Sequence, residues 1–466
     1  MISTTRSRGV AAATAGAFGL ALVLAACTPP PAEEGNADGG DGGDREVAAG
    51  CEDYAQYGDL TGTTVTVYTS ITAPEDQPQI DSYKKYQECT GATVEYEGSK
   101  EFEAQLPVRL QSGNAPDIAY IPQPGLLQRL VADYPDAVQP APEQVQANVE
   151  EYYTQAWADY GSVDGTLYAS PLGANVKSFV WYSPTMFKDA GYEVPTTWDE
   201  LIALSDKIVA DGKAKPWCAG IESGEATGWP ATDWLEDVML RTAGAETYDK
   251  WTNHEIPFNS PEVLEALQAV GSILKNDAYV NAGIGDVSSI ATTPFNDGGF
   301  PILDGECFMH RQANFYQSNW ETKKAGATIG EDGDVFAFYF PGPTADEKPL
   351  LGGGEFVTSF SDRNEVQQFM AFLSSPQWAN EKAKVTSAGW VSANNGLDPE
   401  NLKSPIDKLS FQLLADESSV FRFDASDLMP GAVGAGSFWT EMTNWIASGK
   451  DDQAVLDAIE ASWPSE

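Results

Sequence analysis

The alternation of apolar and polar positions divides the chain into short strands and amphipathic helices. Val65-Thr66-Val67-Tyr68 is a β-branched run that ends in a loop holding Pro74 and Pro78. Residues 80–89 suit a helix, 93–97 a second strand, and 101–111 a helix that Pro107 should kink or break. Residues 117–121 form a third strand before a Pro-Gly break. This βαβαβ order predicts a mostly parallel sheet covered by helices. A second such unit opens at 178–182. Thr197-Trp198-Asp199-Glu200 is a capping box for a helix to 210. A strand at 217–221, an amphipathic helix at 233–243, a helix at 260–276 begun by Pro261, and a strand at 307–310 follow. Later come a strand at 355–360 and helices at 364–374, 376–385, 405–415, 438–448 and 452–462. No internal repeat is visible.

The first fifty residues break this pattern. Arg6 and Arg8 precede an apolar run, 9–26, that closes on Leu24-Ala25-Ala26-Cys27. A basic start, an apolar core and small residues before a cleavage point make a secretory signal. With cysteine next, the site resembles a bacterial lipobox, which implies cleavage before Cys27 and a diacylglycerol on its thiol. An ordinary signal peptide with a chance cysteine is the plainer reading. A retained membrane helix is poorly served by a run this short and glycine-bearing. Residues 1–26 are thus expected to be a lipoprotein signal peptide, and 27–50 a lipidated cysteine with a flexible linker. Three consecutive prolines, six glycines and six acidic residues between 28 and 50 leave little to bury. The expected location is the outer face of the cytoplasmic membrane, reached by export and held by lipid.

What remains is long enough, at 42% apolar residues, for two lobes with separate cores. The formal charge of −42 is spread along the chain, which argues against nucleic acid or anionic lipid surfaces as partners. Solubility or a salty habitat accounts for it without a binding role. Beyond Cys27, four cysteines lie in a segment expected to be exported, where disulfides persist. Three pairings are possible. Cys51–Cys89 and Cys218–Cys307 are favoured because each staples one region locally. With only His254 and His310 as histidines and the wrong cysteine spacings, a metal site is not expected. No Gly-x-Ser-x-Gly elbow, His-Glu-x-x-His pair or phosphate loop is present, so no cofactor is expected.

Three stretches point one way. Tyr168 through Tyr182 reads YASPLGANVKSFVWY and is followed by Gly191-Tyr192-Glu193-Val194-Pro195 and the 197–201 cap. Gly305-Glu306-Cys307 precedes a strand. Met429-Pro430-Gly431 precedes Ser437-Phe438-Trp439 and a closing helix. In this order they resemble the family 1 extracellular solute-binding proteins of ABC importers, the maltose-binding type. Thr227-Gly228-Trp229-Pro230-Ala231-Thr232-Asp233-Trp234 and the 421–431 stretch resemble its α-glucoside-binding branch. The likeness spans about 62–464.

That resemblance implies an α/β, two-lobed periplasmic-binding-protein-like fold (type II) with ligand in the inter-lobe cleft and hinged closure. It implies chain crossings near 173–177, 301 and 352–354, the Gly-Gly-Gly of the last having a second reading as a bulge or tight turn. The expected partition is 51–174 and 302–353 in lobe 1, 175–301 and 354–466 in lobe 2. The implied partners are a small carbohydrate and importer permease subunits, with the chain itself a monomer. A sugar needs flat aromatic faces and polar groups at the ring edge. Candidates for these roles are Tyr68 at the end of the first strand, Asn175 on the crossing, Phe315 after the returning strand, and Trp439 before the closing helix. Trp229 and Asp233, Arg311 and Gln312, Glu355 and Asp424, Ser99 and Glu101, and Gln123 complete the set. Arg311 equally suits a structural ion pair, Glu355 and Asp424 turn or cap roles, and Glu101 a helix dipole. A secreted glycoside hydrolase with two carboxylates is the competing function. The same fold with a peptide, polyamine or ferric ion is a narrower alternative.

Overall fold

Among the described residues thirteen strands carry the topology: β1 Thr64–Thr69, β2 Thr93–Gly98, β3 Ile118–Ile121, β4 Ser162–Val163, β5 Thr166–Leu167, β6 Ala169–Val176, β7 Phe179–Tyr182, β8 Lys215–Cys218, β9 Val280–Asn281, β10 Cys307–Arg311, β11 Phe336–Tyr339, β12 Lys348–Ser359 and β13 Ser419–Phe423. The computed structural model describes residues 48–464 apart from 282, 284 and 417. The expected signal peptide, Cys27 and the spacer to 47 lie outside the described residues.

β1 lies between β2 and β3 and is parallel to both, with Val65 opposite Val94 and Val67 opposite Ile118. The βαβαβ expectation is met. β12 joins β3 and β6 antiparallel and β13 parallel, which completes a six-stranded sheet. A second sheet runs β11-β7-β10-β8-β9. β4 and β5 form a separate hairpin.

The helix expected at 80–89 is two helices, Asp76–Asp81 and Lys84–Thr90. Pro107 does not break Phe102–Ser112, because Phe102, Leu106 and Leu110 recur at helical spacing and are buried together. Thr197 caps Trp198–Asp211 through its hydroxyl, which accepts from the Glu200 amide. The amphipathic helix expected at 233–243 is the longer Trp229–Thr242, and it is buried on every side from 230 to 241. Its polar residues serve an internal network rather than a wet face.

The first sheet packs Val65, Val67 and Ile118 against Phe369, Phe372 and Trp378 of the 364–385 helices. On one face of the second sheet, Val180 and Trp217 pack with Leu201, Trp234, Val270 and Trp445. On the other face Trp181 meets Tyr316, Trp320 and Leu350. These cores correct the expected partition. β10 and β11, inside 302–353, pair with β7 and β8 and belong to lobe 2. The helices Asn364–Leu373 and Pro376–Val385 cover the first sheet and belong to lobe 1. The chain therefore stays in lobe 2 past 301. It crosses at 176–179, returns through 340–352 and crosses finally after β13.

The disulfides are Cys51–Cys89 and Cys218–Cys307, as favoured from sequence. The second ties neighbouring strands β8 and β10. Among the described residues no helix is long and apolar enough to cross a membrane.

Candidate functional site

All three crossings meet in one place. Lys177 stands between β6 and β7, and its ammonium donates to Asp233 Oδ1 at 2.9 Å and to Asp424 Oδ2. Asp233 is on the buried helix, and Asp424 follows β13 at the final crossing. Ser178 Oγ donates to Asp237 at 2.8 Å and accepts from the Leu351 amide of β12 at 2.9 Å. Gly352, Gly353 and Gly354 permit this convergence. Side chains there would run into the Phe421 ring, the Lys177 stem, and the Gly173 carbonyl with the Trp157 ring, respectively.

Charge in this hub balances only with protons. Lys177, Arg241 and Arg311 face Asp233, Glu236, Asp237, Asp424 and Asp427. Burial pushes the Glu236 and Asp427 carboxyls well up, with the Asp424 charge adding to it. Burial also pushes Asp233 up, to about 7, so the hub holds protons beside its three cations. Burial would raise Asp424 as well, but the Lys177 ammonium and hydrogen bonds from Asp233 and Glu236 hold it well below the usual carboxylate range. Lys177 stays charged because its carboxylate neighbours outweigh the cost of burial. Asp233, Glu236 and Asp424 could together hold a metal ion, being within 4.8 Å of one another. Here the Lys177 ammonium bonds two of the three.

Above this hub lies a cavity of about 180 Å³ between the lobes. Trp229, Phe295 and Phe315 form one wall, with Trp229 edge-on to Phe295 at 4.9 Å and 6.1 Å from Phe315. Trp439 closes it from the start of helix Trp439–Ser448, its indole N–H on Ser426 Oγ at 3.4 Å. Gly228, at φ +115°, sits against the start of the Trp439 helix, where a side chain would run into the Trp439 carbonyl. Gln123 enters from the loop after β3. Its amide donates to Glu103 at 3.2 Å, and among the described residues its Oε1, in a residue 5% exposed, has no partner. A buried acceptor without a partner is unusual and points to a ligand donor.

A second chamber of about 360 Å³ continues from the first. Ile71, Glu75, Asn175, Phe315 and Glu355 line both. Asn175 donates to Glu355 at 3.3 Å across the junction. At the lip the lobes touch: a methyl on Gly224 would stand 3.5 Å from Lys100 Cβ.

Of the thirteen expected ligand residues, seven line this cleft: Gln123, Asn175, Trp229, Phe315, Glu355, Asp424 and Trp439. Six do not. Tyr68 is packed between Phe102 and the Arg109 guanidinium, 3.8 Å above its ring, beside a separate shallow pocket. Asp233 and Arg311 are spent on each other and on Lys177 and Asp237. Gln312 folds its Oε1 back onto the Ala313 amide. Ser99 and Glu101 start a helix, with Ser99 Oγ accepting from the Glu101 amide, and stand at the lip. Sequence reasoning missed Lys177, Glu75, Glu103, Phe295 and Asp427. Lys177 had a signal, a lone cation in an otherwise apolar strand pair. The others had none.

Two lobes joined by three crossings, with an aromatic and polar cleft between them, define a solute-binding class. Residues 69–380 match the family described as bacterial extracellular solute-binding protein. The chain is 38% identical over 427 residues to the osmoprotective compounds-binding protein GgtB of Synechocystis sp., covering 90% of this chain and 96% of that one. It is 37% identical over 430 residues to the alpha-glucosides-binding periplasmic protein AglE of Rhizobium meliloti, covering 90% of each. Among solved structures, the bacterial solute receptor AcbH, described with a preference for β-D-galactopyranose, superposes with a TM-score of 0.71 at 16% identity, over 86% of this chain and 98% of that one. Maltose-bound MalE3 of T. maritima does so at 0.65 and 16%, with the same coverage. The chain belongs to the bacterial extracellular solute-binding protein family, and its fold is the two-lobed type II architecture of these neighbours.

Proposed function

We propose that this protein is the receptor of an ABC-type sugar importer and binds a small carbohydrate, an α-glucoside or gluco-oligosaccharide, in the inter-lobe cleft. One observation carries the reading. Trp229, Phe315 and Trp439 offer flat apolar faces to the same cavity where Gln123 Oε1 and Asn175 offer hydrogen bonds. Sugars present C–H faces and hydroxyl edges in this combination. AglE and GgtB, named for binding alpha-glucosides and osmoprotective compounds respectively, support the same class. The receptor holds its ligand without changing it and hands it to permease subunits. It acts as a monomer, exported and anchored at the membrane through Cys27.

Calorimetric titration with a panel of α-linked glucosides tests this, with the recovered sugar checked for cleavage. Trp439→Ala should weaken the best ligand by about 1–3 kcal/mol, the scale of a buried aromatic contact. Unchanged affinity with a large drop in melting temperature would place Trp439 in the core only. Hydrolysis of the sugar by pure protein would favour the hydrolase instead.

A further inference from the structure

The Trp439 side chain is buried, so its indole N–H needs an acceptor inside the protein. That acceptor is Ser426 Oγ, and the groups around this hydroxyl decide which way it points. Ser426 is itself buried and lies on helix Ala425–Leu428, just past the final crossing. Its Oγ donates to Asp424 Oδ1 at 2.7 Å. Burial opposes ionisation of Asp424, and the Lys177 ammonium on its Oδ2 overcomes that cost. An ionised carboxylate only accepts, so the Ser426 proton is committed to it. Thr232 Oγ1, 3.4 Å from Ser426 Oγ, gives its own proton to the Trp229 carbonyl at 3.0 Å. The lone pairs of Ser426 Oγ are left for the indole N–H, which reaches them at 3.4 Å.

The backbone beneath Ser426 is held as well. Glu236, on the buried helix Trp229–Thr242, accepts from the Ala425 and Ser426 amides, both at 3.2 Å. Asp424 Oδ1 also accepts from the Asp427 amide at 3.0 Å. A chain of bonds thus runs from Lys177 at the first crossing, through Asp424 at the last, to an aromatic wall of the cleft. The tilt of that wall decides how much of a sugar's C–H face it covers. A ring held at its edge before binding loses less freedom when the ligand arrives.

We propose that Ser426 is a positioning residue for Trp439, its hydroxyl aimed by Asp424 and Lys177, so that the crossings set the tilt of the cleft's stacking face before a solute enters. The proposal rests on the carbohydrate reading above, in which Trp439 is a contact. Ser426 acts through the ring and not on the ligand.

The test is a double-mutant cycle, read by calorimetric titration of the exported protein with maltose, trehalose and sucrose. Ser426→Ala removes the acceptor. Trp439→Phe keeps a flat ring and removes the donor. For the tightest of the three sugars, each single variant should bind about threefold or more weaker than wild type. The double variant should stay within about twofold of the weaker single one. Ser426→Thr, which keeps an Oγ, should recover most of the Ser426→Ala loss. In NMR spectra of the sugar-free protein, the indole N–H resonance of Trp439 is the one absent from Trp439→Phe. It should shift in Ser426→Ala and return toward its wild-type position in Ser426→Thr. Melting curves establish that each variant is folded; if Ser426→Ala is not, Ser426→Cys, with a weaker acceptor, replaces it in the cycle. Losses that multiply in the double variant would mean that Ser426 acts on the sugar directly. An unmoved Trp439 resonance, or unchanged affinity in Ser426→Ala, would mean that this bond does not set the ring. Each of these overturns the proposal and leaves Trp439 as a stacking contact. Unchanged affinity in Trp439→Ala, or failure of all three sugars to bind wild type, would instead bring down the carbohydrate reading at Trp439 and this proposal with it.

Discussion

Asp407 shows how a single buried carboxyl can link the lobes and make stability depend on pH. It lies on helix Pro405–Ala415 and accepts from the Gly389 amide at 3.1 Å and from Gln317. Gly389 is in the loop after a lobe 1 helix, while Gln317 follows β10 of lobe 2. Burial pushes Asp407 up to about 8 despite those hydrogen bonds. An unfolded aspartate releases its proton near pH 4. Between about 4 and 8 the native state therefore holds a proton the unfolded chain has lost, and stability falls as pH rises through that window. Asp407→Asn keeps an acceptor oxygen and removes the titration. The stability of this variant minus that of wild type should grow with pH up to about 8 and then level off; denaturant melts from pH 5 to 9.5 measure it. A pH-independent difference would mean that Asp407 is ionised throughout. The residue scale is also where the sequence was least legible. Phe315 and Trp439 could be placed at the cleft because the family resemblance puts stacking aromatics after the returning strand and before the closing helix, and Trp229 because it stands in the Trp-Pro stretch between strand and helix. Asp233 and Arg311 stand in the same stretches but turn inward, since their partners lie 56 to 78 residues away, and Gln312 folds onto the amide of the next residue.

At the scale of elements, β12 holds the machine together. It is the return crossing, the partner of β3, β6 and β13, and the seat of Glu355. Its glycines are a packing requirement: Gly354 abuts the Gly173 carbonyl of β6 and the Trp157 ring. Gly354→Val should cost about 1–3 kcal/mol, the range for overpacking a tight site. Gly330→Ala, at a glycine with open space around it, should stay within about 0.5 kcal/mol. Urea melts of the two variants compare them; a neutral Gly354→Val would show that β12 and β6 can part without penalty. The glycine run was readable from sequence as either a crossing or a bulge; Gly352, Gly353 and Gly354 keep a regular register with Val176, Asn175 and Ala174, and the register slips only after them, between Glu355 and Phe356. The lobe partition was misread because a strand's apolar pattern identifies it as a strand but does not name its neighbour. β10 and β11 carry the same kind of run as β12, and only pairing assigns them to different sheets. The helix at 229–242 was misread for a related reason. Its acidic and basic residues look like a solvated stripe until Lys177 and Arg311 are brought against them.

For the whole molecule the proposal to test is the anchoring of an acidic protein at a membrane. The formal charge of −42 is spread along the chain, so the surface of a negatively charged bilayer repels it. Among the described residues no helix can span a bilayer. The proposed attachment is through lipid on Cys27, which follows Leu24-Ala25-Ala26. A diacylglycerol thioether with an added N-acyl chain supplies the two or more chains that stable anchoring needs. Full-length protein made in a bacterial host should therefore sediment with membranes and resist a 1 M-scale salt wash, which screens charges beyond about 3 Å and would release an ionically held protein. Detergent should release it, and its first peptide should carry lipid mass on Cys27. Cys27→Ala should abolish that mass and leave the protein soluble outside the cell or unprocessed at the signal. Sugar affinity of any soluble Cys27→Ala protein should match that of wild type. Wild-type protein recovered intact from the medium without lipid would mean that the leader is an ordinary signal peptide and that the receptor diffuses free.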